Sequence, residues 1–233
     1  MPKPLSVLFF APKPVFNQFE VDEFPGLDTA GSSALYRSLL INQMEVVQAW
    51  GKCGRSIVML HQFDVGAGGL DELQRFNEPG IVFYENENRE EITGEIAEEV
   101  LSGQGILIVV NPLVMGLTSN DYNFLAEVVD QEDEVTHVAR ATNGWVSSMA
   151  FNYFESEQKK TISAIPESWT GFLKALTILE SRPLVSTSGL VVRSRKDFRG
   201  LYDFLSSKES IPACSFEMHD RFTELFVEYK ELL

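Results

Sequence analysis

Few polar clusters in this chain have the residue types and spacing that catalysis or metal binding requires. The acidic run at residues 84–91, YENENREE, could hold a cation, although acids in such runs also favour the first turn of a helix. The histidines and cysteines are too scattered for a metal site or a disulfide framework: His61, His137, His219, Cys53 and Cys214. We therefore expect two reduced thiols and no metal.

The glycine-rich segment at residues 64–70, DVGAGGL, follows an apolar run and precedes a short helical pattern. A dinucleotide-binding fingerprint would need its third glycine at position 71, where this chain has Asp71. The segment is predicted to be a flexible turn.

Apolar runs that read as strands alternate with helical patterns through the first half of the chain. The strands are predicted at residues 6–10, 56–60, 81–84, 106–110 and 135–139, and the helices at 33–50, 71–76, 90–101 and 119–129. Ser32 or Ser33 can cap the first helix, and Gly51 ends it. This alternation predicts a single α/β domain with a mainly parallel central sheet and helices on both faces.

The pattern is less regular beyond residue 146. We predict strands at 146–153 and 190–193, with helices at 170–179 and 196–205. The domain is predicted to cover residues 1–207. Residues 208–233 form a helical extension whose apolar stripe packs on that domain, and a homodimer joined through this tail is the alternative.

Composition excludes several classes of partner. The chain has 233 residues, a formal net charge of −15 and 44% hydrophobic residues, as a globular acidic protein would. Nucleic acid and anionic membranes are bound mainly through Lys and Arg, so neither is an expected partner. No apolar run is long enough to span a bilayer and no leader is recognisable, so a cytoplasmic location is expected.

Residues 105–122, GILIVVNPLVMGLTSNDY, carry the strongest resemblance to a known family. They read as a buried strand, a loop without charge, and a capped helix. The stretch resembles the GxxLLIGSDCPDLTPEDL pattern of small bacterial nucleotide-diphospho-sugar transferase-like proteins of the glycosyltransferase-A type. The helix GSSALYRSLLINQMEVVQAW resembles that family's A-A-L-Y-R-A-L-L helix.

The resemblance implies a transferase that uses a nucleotide-diphospho-sugar and a divalent metal, Mg or Mn. In this chain the loop has Asn111 at its start, and the family's two aspartates fall on Leu113 and Gly116. The family's phosphate-binding Lys and Arg after the first strand fall on Glu20 and Asp22, near Lys13, so donor binding in the family's manner is not expected.

Two further family patterns are also altered. The P-A-x-D-G-G-Y-Y pattern falls on residues 140–147, where Asn143 replaces the aspartate, Gly144 is retained and Trp145 replaces the second glycine. In the last pattern Arg193 replaces an acid. Because guanidinium groups bind phosphate bidentately without metal, Arg140 and Arg193 are candidates for an altered anion site, with solvated or ion-paired arginines as the alternative.

These substitutions favour a diverged protein that has lost metal-dependent glycosyl transfer and serves a binding or assembly role, with no metal cofactor. Its cleft would be lined by the aligned positions Lys13, Asn111, Leu113, Gly116, Asn143, Gly144 and Trp145, and its ligand would be a nucleotide or nucleotide-sugar. The alternative is an active glycosyltransferase or nucleotidyltransferase that works by a metal-independent route. A purely structural partner in a complex is a third hypothesis.

Overall fold

The structure is a computed structural model that describes residues 3–11, 13–76, 79–131, 134–163, 165, 168–177 and 183–233. The strands within these residues are β1 Leu5–Phe10, β2 Arg55–His61, β3 Gly80–Tyr84, β4 Ile106–Val110, β5 Val114–Met115, β6 Thr136–Arg140, β7 Val146–Phe151, β8 Pro183–Thr187 and β9 Leu190–Val191. The α-helices are α1 Thr29–Trp50, α2 Arg89–Ser102, α3 Ser119–Gln131, α4 Gln158–Ser163, α5 Trp169–Leu176, α6 Arg195–Leu205 and α7 Phe216–Glu228.

Seven strands form one sheet in the order β3-β2-β1-β4-β7-β6-β8. Strand β7 runs antiparallel to β4 and β6, and the other neighbours in the sheet are parallel. Strands β5 and β9 form a separate antiparallel pair. The prediction of a single α/β domain with a mainly parallel sheet is confirmed.

Helices cover both faces of this sheet because its central strands are apolar on both sides. In β1, Val7 and Phe9 belong to one core cluster, together with residues of α1, α3, α6 and α7. Leu8 and Phe10 belong to a second cluster, which includes residues of α2, α4 and α5. Continuous apolar runs such as these are typical of parallel strands that are buried on both faces.

Helix α1 begins earlier than its pattern indicated. Its cap is Asp28, whose Oδ1 accepts a hydrogen bond from the Gly31 N–H at 2.8 Å. The predicted caps Ser32 and Ser33 are buried inside the first turns, and they hold the loop that precedes the helix instead. The Ser32 hydroxyl accepts from the Phe24 N–H, and the Ser33 hydroxyl donates to the Val15 carbonyl.

Several elements differ from the prediction. Helix α4 and strand β8 were not predicted, and the helix predicted at residues 71–76 is a 3-10 segment, Leu70–Arg75. Strand β8 is an edge strand whose residues are partly or fully exposed, so it lacks the apolar alternation that reveals a strand. The end of the helix predicted at 170–179 lies outside the described residues.

The C-terminal helix lies against α1. Met218, Phe222, Leu225 and Phe226 are buried in the same core cluster as the inner face of α1. The domain division between residues 207 and 208 stays a prediction. None of the helices in the described part of the chain combines the length and apolar character needed to cross a bilayer.

Candidate functional site

The end of β4 is held by Asn111, which is completely buried. Its Nδ2 donates to the Val146 carbonyl at 2.9 Å, and its Oδ1 accepts from the Leu113 N–H at 3.0 Å. Its backbone N–H donates to the Ser147 carbonyl at 2.9 Å. Both ends of the amide are therefore used to tie β4 to β7 and to shape the loop that follows.

The loop after Asn111 is packed beneath β9 and α6. Leu113 is buried, and its carbonyl accepts from the Val192 N–H at 2.8 Å. Gly116 adopts φ +89°, and a Cβ at this position would lie 3.3 Å from the Phe204 ring. This backbone conformation favours glycine, so Gly116 has a conformational reason to be present.

The turn before β7 is fastened to α6 by Asn143. Its Nδ2 donates to Oδ1 of Asp197 and to the Val191 carbonyl, both at 2.7 Å. Gly144 follows with φ +85°. Sequence reasoning missed Asp197, although Ser194 and Asp197 have the spacing of a helix cap: the Ser194 hydroxyl donates to Asp197 Oδ2 at 2.7 Å.

Arg140 and Arg193 each lie over an aromatic ring beside this turn. The Arg193 Cζ is 4.3 Å from the centroid of the Trp145 ring, and the Arg140 Cζ is 5.8 Å from that of Trp169. The backbone N–H of Trp169 donates to the Gly144 carbonyl at 2.8 Å. Trp145 and Trp169 are thereby connected to the same turn. Whether the two guanidinium groups share a ligand stays a prediction.

The loop after β1 contains acidic as well as basic side chains. Lys13 forms an ion pair with Asp22 in that loop. Burial raises the pKa of Tyr36 to about 12, an effect that Asp22 strengthens and Arg193 weakens. The charges of Asp22 and Arg193 thus act on Tyr36 in opposite directions.

Asp64, which follows β2, accepts hydrogen bonds from backbone donors in the loop after β1. Its carboxylate is fully buried and accepts hydrogen bonds from three successive N–H groups, those of Val15, Phe16 and Asn17, at 2.8–3.1 Å. Successive N–H groups of this kind form an anion-binding concavity. Burial raises the pKa of the Asp64 carboxyl, and the three donors oppose that effect.

Solved structures share this arrangement of strands and helices. A protein assigned as a nucleotide-diphospho-sugar transferase from Desulfovibrio desulfuricans G20 superposes with a TM-score of 0.70 at 11% identity, over 97% of this chain and 98% of that one. The 4-diphosphocytidyl-2C-methyl-D-erythritol synthase from Anaerococcus prevotii gives 0.54 at 11% identity, over 89% and 100%. The protein has a nucleotide-diphospho-sugar transferase-like fold.

A cytidylyltransferase from Leptospira borgpetersenii also has this nucleotide-diphospho-sugar transferase-like fold, with a TM-score of 0.53, 8% identity and coverage of 100% of this chain and 96% of that one. No family model matches the sequence, and no curated protein matches it. Identities this low establish the shared fold alone.

In an open sheet of this kind, ligands bind outside the carboxyl ends of the strands where the strand order reverses. Here that point lies between β1 and β4. It brings together the loop of Lys13 and the loop of Asn111 and Leu113. Among the described residues, no three His, Cys, Asp or Glu side chains are grouped so that they could hold a metal ion.

A cavity of about 450 Å³ opens between the loops after β1 and β2. The side of α1 that bears Ala30, Ser33 and Arg37 forms its floor, and residues 65–68 form one wall. Sequence reasoning interpreted this glycine-rich segment only as a turn. The cavity was not predictable, because its walls lie almost fifty residues apart along the chain.

Proposed function

We propose that this protein binds a nucleotide or nucleotide-sugar in the cleft at the carboxyl ends of β1 and β4 and does not perform metal-dependent glycosyl transfer. The proposal goes beyond the shared fold. It depends mainly on one observation at the end of β4: Leu113 is a buried apolar residue, and the side-chain amide of Asn111 is already bonded to the backbone.

A divalent cation would find poor ligands at this position. Mg²⁺ and Mn²⁺ prefer several oxygen ligands, including carboxylates. At this position Leu113 is a buried leucine without a ligand atom. The side-chain amide of Asn111 already has backbone partners at both its oxygen and its nitrogen. Asp197 is engaged with Asn143 and Ser194. These residues do not fit the metal that such transferases need.

Without a metal, the phosphates of the ligand would be neutralised by guanidinium groups. Arg140 and Arg193 both flank the turn that carries Gly144 and Trp145, and each is oriented by an aromatic ring. A planar guanidinium can donate two parallel hydrogen bonds to a phosphate, which supports binding without a cation. The side chain of Trp145 supplies an aromatic surface at the same turn.

Calorimetric titration tests the proposal directly. We expect uridine diphosphate or guanosine diphosphate to bind with a Kd that changes less than about threefold when MnCl₂ is added, and MnCl₂ alone to show no stoichiometric site. Replacing both arginines, Arg140→Gln and Arg193→Gln, should weaken nucleotide binding by at least about tenfold. A manganese site of micromolar affinity, or nucleotide binding that requires manganese, would contradict the proposal.

The second candidate is a glycosyltransferase or nucleotidyltransferase that works without metal. It is favoured by the fold shared with a protein assigned as a nucleotide-diphospho-sugar transferase and with a cytidylyltransferase. This candidate predicts turnover of a nucleotide-diphospho-sugar in the presence of EDTA. The turnover should fall at least about tenfold in Arg193→Gln and less in Arg193→Lys, which keeps the charge.

A further inference from the structure

The cavity between the loops after β1 and β2 has preformed walls. Asp64, at the start of the second loop, binds the N–H groups of Val15, Phe16 and Asn17 in the first loop. The Asn17 side chain adds a hydrogen bond from Nδ2 to the Phe63 carbonyl at 2.7 Å. These contacts tie the two loops to each other and fix their relative position, so a ligand would meet an ordered site.

Of the described residues that line this cavity, Arg37 alone is charged. It lies on α1 one turn beyond Ser33, and its Nη1 is 2.9 Å from the point where a Cβ on Gly69 would lie. A side chain at residue 69 would therefore displace the guanidinium. The glycine allows Arg37 to lie directly against the backbone of the glycine-rich loop.

The guanidinium of Arg37 forms no ion pair within the described part of the chain, although Glu72, Glu224 and Glu228 border a neighbouring cavity with it. Its Nε is buried and has no hydrogen-bond partner, and no ion pair is formed there. Glu72, which borders a neighbouring cavity together with Arg37, is instead paired with Arg221 at 3.1 Å. A buried donor without an acceptor is costly, so an acceptor supplied by a ligand would be favoured.

The rest of the lining combines polar and apolar groups. Asn17, Gln18 and Ser33 are polar, whereas Phe19 and Val65, which are 85% and 60% exposed, offer apolar surface to the body of a ligand. With one guanidinium available and a net charge of −15 on the protein, a ligand carrying one negative charge is favoured over a dianion.

We propose that this cavity binds a small monocarboxylate with an aromatic or aliphatic body. The carboxylate accepts hydrogen bonds from the Arg37 guanidinium, and the body lies against Phe19 and Val65. The site does not involve Arg140 or Arg193. The variants that test it therefore differ from those that test the nucleotide binding proposed above, so the failure of one proposal can be distinguished from the failure of the other.

Two variants test the site by different routes. Arg37→Met removes the charge and keeps the unbranched stem. Gly68→Leu keeps the charge and adds a bulky side chain to the cavity lining, since a Cβ at residue 68 would have no atom within 4 Å and the backbone there is not left-handed. Arg199→Met, an exposed arginine on α6, is the matched control. Circular dichroism establishes that each variant is folded.

The ligands are phenylacetate, its neutral analogue phenylacetamide, and phenyl phosphate, each titrated by calorimetry or ligand-detected NMR. We expect phenylacetate to bind the unaltered protein and the Arg199→Met control equally. Arg37→Met, Gly68→Leu and the exchange to phenylacetamide should each weaken binding by at least about tenfold. If Arg37→Met does not fold, the binding of phenylacetate to Gly68→Leu and the binding of phenylacetamide to the unaltered protein still test the proposal.

Three results would overturn the proposal. The first is no binding of phenylacetate at concentrations up to about 10 mM, which corresponds to an affinity too weak for a built site. The second is binding that is unchanged in the folded Arg37→Met or Gly68→Leu variant. The third is tighter binding of phenyl phosphate than of phenylacetate, which would show a site for a dianion.

Discussion

Asp64 shows how a single residue can serve a loop that belongs to another part of the sequence. The N–H groups of Val15, Phe16 and Asn17 are held together by its carboxylate, which is completely buried. An acceptor of this kind compensates donors that would otherwise be buried without a partner. The residue therefore stabilises the loop after β1, which borders both the cleft and the cavity.

Replacing Asp64 with alanine should destabilise the protein by about 2 to 4 kcal/mol, because three backbone donors lose their acceptor. The measurement is the free energy of unfolding from urea titration. Asp71→Ala is the control, since Asp71 is an exposed carboxylate in the same stretch of chain, and we expect it to change stability by no more than about 0.5 kcal/mol. Equal effects of the two substitutions would show that Asp64 does not hold the loop.

Helix α7 completes the core on one face of the sheet by packing against α1. Phe222 of α7 is fully buried among residues of α1 and α6. At the end of α7, the Tyr229 hydroxyl donates to Oδ1 of Asp28, the residue that caps α1. Gly31 gives the Tyr229 ring room, since a Cβ at that position would overlap its hydroxyl. The tail thus packs within one chain.

Phe222→Ala should lower the free energy of unfolding by about 3 to 5 kcal/mol, because it leaves a cavity between α7 and α1. Val227→Ala on the same helix is the matched control: Val227 is 70% exposed, so we expect a change of no more than about 0.5 kcal/mol. Chemical denaturation at two protein concentrations makes the measurement. A midpoint that rises with concentration would instead support the tail-mediated homodimer.

The net negative charge of the whole molecule affects its stability as well as the partners that it can bind. A net charge of −15 spread over 233 residues opposes the compact state through self-repulsion. The seven ion pairs found in the described part of the chain lie at positions that are partly open to solvent, where each contributes little. Screening should therefore relieve more repulsion than attraction.

Raising NaCl from about 0.05 M to about 0.5 M should increase the thermal unfolding midpoint by about 2 to 4 °C, because the screening length falls below the spacing of most surface charges. Differential scanning calorimetry measures the midpoint, and KCl should have the same effect as NaCl if screening is the cause. An unchanged or lower midpoint would show that local ion pairs outweigh the net repulsion.

The sequence by itself determined much of the α/β fold. Strands β1 and β4 and helix α1 were predicted because each has an apolar pattern of its own, a run or a stripe, that does not depend on its neighbours. The alignment of Leu113 and Gly116 with acids of the resembled family also comes from the residues alone, and it stays a prediction. Edge strand β8 was missed because an element exposed to solvent carries no apolar pattern.

Only the tertiary structure decided what the polar residues do. Nothing in the local sequence joins Asp64 to Val15, because a hydrogen bond between two loops depends on how the strands before them are ordered in the sheet. The same holds for Asn111 and Asn143, whose partners lie on other elements. Apolar periodicity is a property of a segment, whereas a polar site exists only after distant segments have packed together.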